Sequence, residues 1–124
     1  MSRPVKALVS RRAIAHNIDA VRRIAPRAKV WAVLKADAYG HGLIRLLTDS
    51  SRALVRADGI AILETDTAAA LRELGWGLPV LLLEGCFDSA DLDLAARLGV
   101  TVTVHHDQQS ALVGAPRFDR PIPL

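Results

Sequence analysis

Short apolar runs alternate with helix-length segments along most of this chain, and few folds accommodate that rhythm. Residues 29–34 have the near-continuous apolar content of a parallel strand buried on both faces. Residues 60–63 form a second run, 78–83 a third with Pro79 tolerated near its start, and 100–104 a fourth rich in β-branched residues. Helices are expected between them. One runs from residue 43 to about 56 behind Gly42, and one covers 66–74, capped by Thr65 and ended by Gly75. Another runs from a cap at Asp88 or Ser89 to residue 98 with Gly99 as its stop, and a short one from Asp107 to near Gly114. Asp58-Gly59 and Glu84-Gly85 are turn signals. Ahead of this series, residues 4–9 read as a short strand. Ser10 caps a helix over about 11–25 whose buried face is Ile14, Ile18, Val21 and Ala25, and Pro26 ends it. Residues 116–120 read as loop and 121–124 as the approach to one more strand.

Strand–helix alternation means right-handed βαβ units on a parallel sheet, an α/β fold. Two architectures suit it: a small open doubly wound sheet, or the first half of a (β/α)8 barrel, whose full form needs about 200 residues or more. The chain has 124 residues and four regular units. The pattern by itself does not separate the two.

Composition narrows the function classes. No apolar run is long enough to span a membrane, and no apolar stretch follows the charges of Arg3 and Lys6 as in a signal peptide. The single cysteine, Cys86, excludes an internal disulfide and a thiolate zinc cluster, and fits a reducing cytoplasm. The net charge is +3, with Arg3, Arg11, Arg12, Arg22, Arg23 and Arg27 gathered near the N-terminus. A solvated helix face explains that cluster better than nucleic-acid binding, because acidic residues are interspersed downstream and aromatics for base stacking are scarce. Glycine-rich dinucleotide and P-loop motifs are absent.

Ligands of parallel α/β folds bind beyond the carboxyl ends of the strands. Lys35, Glu64, Glu84 and the pair His105-His106 are placed at such ends. Lys35 is the sharpest candidate. A lysine ending a buried strand must pair, reach water or do chemistry, and a partly desolvated amine can condense with an aldehyde cofactor. The plain alternative is a side chain that snorkels to solvent. Tyr39, the sole tyrosine, could donate to a phosphate or to the oxygen of a cofactor ring, or pack at a loop edge. Gly40 and Gly42 give the turn access to positive φ, and His41 between them reads as structural. His105 and His106 point to opposite faces if extended, which argues against one shared metal ion. Cys86 is expected in a turn, partly exposed, with no base beside it. Glu64, Glu84 and the histidines read most simply as solvated loop groups.

The octamer Lys35-Ala36-Asp37-Ala38-Tyr39-Gly40-His41-Gly42 resembles the pyridoxal-phosphate lysine motif of the alanine racemase family. Supporting likeness comes from residues 3–7, from His16-Asn17-Ile18, from residues 79–85 and from 88–92, and it extends over nearly the whole chain. The resemblance implies the first half of a (β/α)8 barrel, in a family whose complete members add a mostly β domain, form homodimers and interconvert L- and D-alanine for peptidoglycan in the cytoplasm. It implies pyridoxal 5'-phosphate as cofactor, Lys35 as the Schiff-base lysine and the base on the D-alanine side, and Tyr39 as a contact to the cofactor phosphate. No metal, nucleic acid or membrane is implied. Asp37 stands where the family often has asparagine, and Ser10-Arg11 replaces a more common acidic-apolar opening. The family's second base, a tyrosine of the partner's β domain, and most phosphate-binding groups lie beyond this length. The expectation is therefore a truncated N-terminal barrel part, 1–124, inactive by itself and prone to self-association through open sheet edges. Two other readings are a non-catalytic pyridoxal-phosphate protein, which would lack the Ala-Tyr-Gly-His-Gly turn, and an α/β interaction module without ligand.

Overall fold

A computed structural model describes residues 3–48, 53–114 and 122–124. Helix α1 (Arg11–Ile24) opens the ordered fold, with the Ser10 side chain accepting from Ala13 N at 3.2 Å, as its sequence predicts. Strand β1 (Trp31–Val33) follows, then a helical turn α2 (Lys35–Tyr39) and a short helix α3 (Leu43–Leu47). A 3-10 turn (Ala53–Arg56) leads into β2 (Gly59–Ile62) and α4 (Thr65–Glu73). The pattern continues with β3 (Val80–Leu82), α5 (Ser89–Leu98), β4 (Thr101–Val102) and α6 (Asp107–Gly114).

The four strands lie in the order β1-β2-β3-β4, all parallel. That order decides between the two architectures. Right-handed crossovers taken always in one direction put the helices on one side of the sheet. An open doubly wound sheet reverses direction and carries helices on both faces. No reversal occurs here, so the unit is half of a barrel. Its helix side is the core. Ile60, Ile62, Val80, Leu82, Val100 and Val102 are buried against Ala68 and Leu71 of α4 and Leu92 and Ala95 of α5. The other face carries the row Val33, Ala61, Leu81 and Thr101, set by the strand register. On that face the Trp31 ring lies over Gly59, where a Cβ would fall 2.5 Å from it. A barrel interior is lined by such alternate residues.

Several expectations change. Residues 4–9 form no strand, and Val5 and Leu8 are exposed, because no described backbone lies alongside to complete a ladder. On α1, Ile18 is buried and Ile14 and Ala25 half-buried, but Val21 is 47% exposed; the helix packs chiefly on the 3-10 turn (Ala53–Arg56) rather than on the sheet. Strand β1 is not buried on both faces: Val33 lies on the side away from the helices and is 40% exposed. Thr65 does not cap α4. Glu64 occupies that position, and the Thr65 hydroxyl donates instead to Asp91 of α5 at 2.8 Å. The helix expected over 43–56 is interrupted, with part of it outside the described residues, as is the loop expected at 116–120. Where a further strand is expected, residues 122–124 form none, but Val102 N donates to Pro123 O at 2.9 Å, which lays that backbone beside the far edge of β4.

At the end of the sheet opposite the strand termini, Arg72 binds several carbonyls. Its Nε donates to Leu98 O at 3.0 Å and its Nη1 to Trp76 O at 2.7 Å and Leu78 O at 3.1 Å. It thereby joins the end of α4, the end of α5 and the approach to β3. Burial lowers its pKa from the ordinary arginine value. On the α1 side, Asp58 accepts from Val30 N at 2.7 Å and pairs with Arg22 at 2.9 Å. The backbone donor first, and then the arginine, hold its carboxyl below the ordinary aspartate range. Among the described residues no helix is long and apolar enough to cross a membrane.

Candidate active site

Four parallel strands deliver their carboxyl ends to one rim. Leu34 N still donates to Ala61 O at 2.8 Å, so the ladder fixes the backbone up to the residue before Lys35. Lys35 then begins α2, half-buried. Among the described residues, no hydrogen bond or ion pair engages its amine.

Helical turn α2 is left-handed. Ala36, Asp37 and Ala38 have φ/ψ of 51/52, 53/48 and 56/47, Tyr39 has φ 57, and Gly40 continues at φ 80. For L-residues this conformation costs roughly 1–2 kcal/mol each, and routinely occurs singly rather than in a run. The offsetting contacts are visible. Ala38 is buried in the core, and Gly40 N and Gly42 N donate to Ala36 O and Asp37 O at 2.9 Å each. Asp37 Oδ1 accepts from Leu43 N at 2.7 Å. Gly42, at φ 88, completes the turn as its type predicts. The outcome is that Lys35 and Tyr39 project from one rigid, atypical turn. The Tyr39 side chain is 59% exposed, and no described residue bonds its hydroxyl. His41 is exposed, its N–H bonded to Ala38 O at 3.1 Å.

The ends of β3 and β4 are joined by a residue that sequence reading passes over. Gln109, on α6, is 4% exposed. Its Nε2 donates to Glu84 O at 2.7 Å and Cys86 O at 3.3 Å, and its Oε1 accepts from His105 N at 2.9 Å. Beside it, the Thr103 hydroxyl lies 2.6 Å from Leu82 O and 2.7 Å from Leu83 O, and His105 Nε2 lies 2.7 Å from Leu83 O. Gly85, at φ 73, has to be glycine: a Cβ there would sit 2.2 Å from Thr103 O. The available signal for Gln109 is its place three residues before Leu112, on the inward stripe of α6.

The rim residues named from sequence join this set of contacts in different ways or not at all. The Glu64 and Glu84 side chains are exposed, matching the solvated reading. His105 and His106 are engaged separately, the first with Leu83 O and the second with Gln109 N through Nδ1 at 3.4 Å. Cys86 is a correction. It is buried rather than partly exposed, because the turn folds it into the core cluster. Burial first, then the carboxylates of Asp91 and Asp88, push its thiol up to about 11.

Comparison with known proteins bears on what such a rim is for. The model for "Alanine racemase, N-terminal domain" matches residues 9–120. The chain belongs to the alanine racemase family. It is 49% identical to an alanine racemase of Leptothrix cholodnii over 121 residues, covering 98% of this chain and 31% of that one. With an alanine racemase of Burkholderia mallei the identity is 44% over 122 residues, 98% of this chain and 33% of the other. Among solved structures, the biosynthetic alanine racemase of Pseudomonas aeruginosa matches with TM-score 0.78 and 37% identity, over 90% of this chain and 30% of that one. The alanine racemase of Acinetobacter baumannii matches with TM-score 0.76 and 30% identity, over 85% and 30%. This alanine racemase-like chain spans about a third of the length of those relatives.

Proposed function

We propose that this chain is the lysine-bearing part of a pyridoxal-phosphate-dependent alanine racemase, with Lys35 as cofactor lysine and proton-transferring base and Tyr39 as a contact to the cofactor phosphate. The observation that carries the reading is the left-handed turn holding Lys35 at the end of β1, with the amine free of any described partner. Strain of that kind persists where surroundings over-determine it, and it concentrates at functional positions.

The donor set suits the cofactor in part. It offers a half-buried primary amine and an exposed phenol four residues on, both on one rigid turn. When bound, the cofactor supplies an aldehyde that condenses with a primary amine and a pyridine ring that withdraws electrons from the bonds at an amino acid's Cα. Lys35 Nζ would hold the cofactor's aldehyde carbon, and as a free amine it would take or return a proton at the amino acid's Cα from its own side. Tyr39 Oη would donate to an oxygen of the cofactor phosphate. The clamp around Gln109 keeps the neighbouring strand ends in place, so the rim retains its shape.

Alanine as substrate is supported by the names of the relatives; D-alanine for peptidoglycan as the product's use, a homodimeric whole and a cytoplasmic setting belong to the same proposal through the family resemblance alone. The family members' greater length supports one more element of it: residues 1–124 form a barrel part that does not interconvert alanine alone. The test is incubation with pyridoxal phosphate, borohydride reduction and peptide mass spectrometry. The adduct is expected at Lys35 in preference to Lys6 and Lys29. Equal labelling of all three lysines refutes the assignment. Alanine interconversion by this chain at an ordinary enzymic rate refutes the incompleteness.

A further inference from the structure

The geometry points to Asp37 as the positioning residue of this site: its carboxylate clasps the left-handed turn to helix α3 and so fixes where Lys35 and Tyr39 stand. The inference rests on the reading of Lys35 as the cofactor lysine and adds a residue to it.

Asp37 is the second residue in the run of positive φ, and aspartate tolerates that region better than alanine or tyrosine. More important is what it holds. Its Oδ1 accepts from Leu43 N at 2.7 Å, and its main-chain carbonyl accepts from Gly42 N at 2.9 Å. One residue therefore takes two successive amides where the chain enters α3. The first turn of a helix leaves its N–H groups without intrahelical acceptors, so the Asp37 oxygen is the acceptor Leu43 N needs. Leu43 is 2% exposed and Leu46 6%, both in the core cluster, so α3 is anchored independently of the turn. The carboxylate transmits that anchoring back across Gly40, His41 and Gly42. Without it, the four strained residues keep only backbone hydrogen bonds and the burial of Ala38 to oppose relaxation toward right-handed geometry. Asparagine presents a carbonyl oxygen in the same place, whereas alanine presents nothing.

The test uses the whole chain as wild type, Asp37→Ala and Asp37→Asn, with two readouts. Amide hydrogen exchange followed by NMR reports the turn without cofactor. The initial rate of borohydride-trapped labelling by pyridoxal phosphate at Lys35, relative to Lys6 and Lys29, reports the site. In Asp37→Ala, protection at Gly42 and Leu43 is expected to fall about tenfold or more, as for loss of one charge-assisted hydrogen bond. Exchange at Ile60 and Ile62 stays as in wild type. The relative rate at Lys35 falls with the protection, and Asp37→Asn restores both. Unchanged protection in Asp37→Ala overturns the clasp. Lost protection with an unchanged Lys35 rate overturns the positioning role. Failure of Asp37→Asn to restore either readout overturns the assignment to the accepting oxygen. A wild-type Lys35 no more reactive than Lys6 and Lys29, with protection responding as stated, supports the clasp and overturns the cofactor reading instead.

Discussion

Replacing Gln109 with leucine asks how much of this half-barrel depends on one buried amide. Leucine has nearly the volume of glutamine, so the change removes chemistry more than packing. Three bonds go: two short ones, to Glu84 O at 2.7 Å and from His105 N at 2.9 Å, and a longer one to Cys86 O at 3.3 Å. An intramolecular hydrogen bond contributes about 1 kcal/mol net, while a buried group left without its partner costs about 1–3 kcal/mol. His105 is exposed, so water can satisfy its N–H; the carbonyl of buried Cys86 has less access. A loss of about 2–4 kcal/mol follows. In urea titrations followed by circular dichroism, a slope of about 2 kcal/mol/M, the middle of the range for small proteins, makes that a midpoint shift of about 1–2 M. The slope itself stays unchanged, because the same surface is exposed on unfolding. Amide exchange localises the effect: Gly85 N and Thr103 N, bonded to Leu82 O at 3.2 Å each, lose protection before the β1–β2 ladder does. A midpoint within about 0.3 M of wild type, with protection intact at both amides, refutes the clamp.

Arg72→Met keeps the stem and removes the guanidinium from the carbonyls of Leu98, Trp76 and Leu78. Bonds to a charged donor are worth about 1.5–3 kcal/mol each in favourable cases, so a loss of at least about 2 kcal/mol is expected by thermal or chemical melting. Arg72→Lys recovers less than half, because an ammonium does not span three acceptors in a plane. Cys86 gives a pH signature on the alkaline side. Its folded pKa is raised to about 11, above the free thiol value near 8.5, so its contribution to stability is complete below about pH 8.5 and is lost as pH rises toward 11. Cys86→Ala flattens the part of the stability decline between about pH 9 and 11 that is due to this thiol, measured as urea midpoints against pH. The native thiol reacts with a disulfide reagent at the rate of opening; reaction at the rate of a free thiol contradicts its burial.

Most of the fold is legible in the sequence because local signals and tertiary demands agree there. The run at 60–63 covers β2 except Gly59, which reads as turn, and the run at 78–83 contains β3; Ser10, Asp88 and Gly99 cap helices through bonds that their side chains or positive φ make local. Legibility fails where the decisive partner is distant. Residues 4–9 have strand composition but no described ladder to join. Thr65 has the chemistry of a cap, yet Asp91 on the next helix claims its hydroxyl. At the site, the lysine motif marks Lys35 and Tyr39 at once, while Gln109 and the bond from Asp37 to Leu43 emerge only when loops from different units are brought together. The strand order that separates half-barrel from open sheet is likewise nonlocal, since both arrangements use the same units.

The handedness of residues 36–39 has a corollary for how this region comes into being. A peptide cut from around the lysine carries the full motif but none of the scaffold that bends it, and it would relax to the opposite screw sense or to no fixed shape. The geometry around that amine therefore depends on tertiary packing and not on the local sequence alone. It arises when Ala38 and Leu43 reach the core, and whatever loosens their seats there unwinds the turn as well.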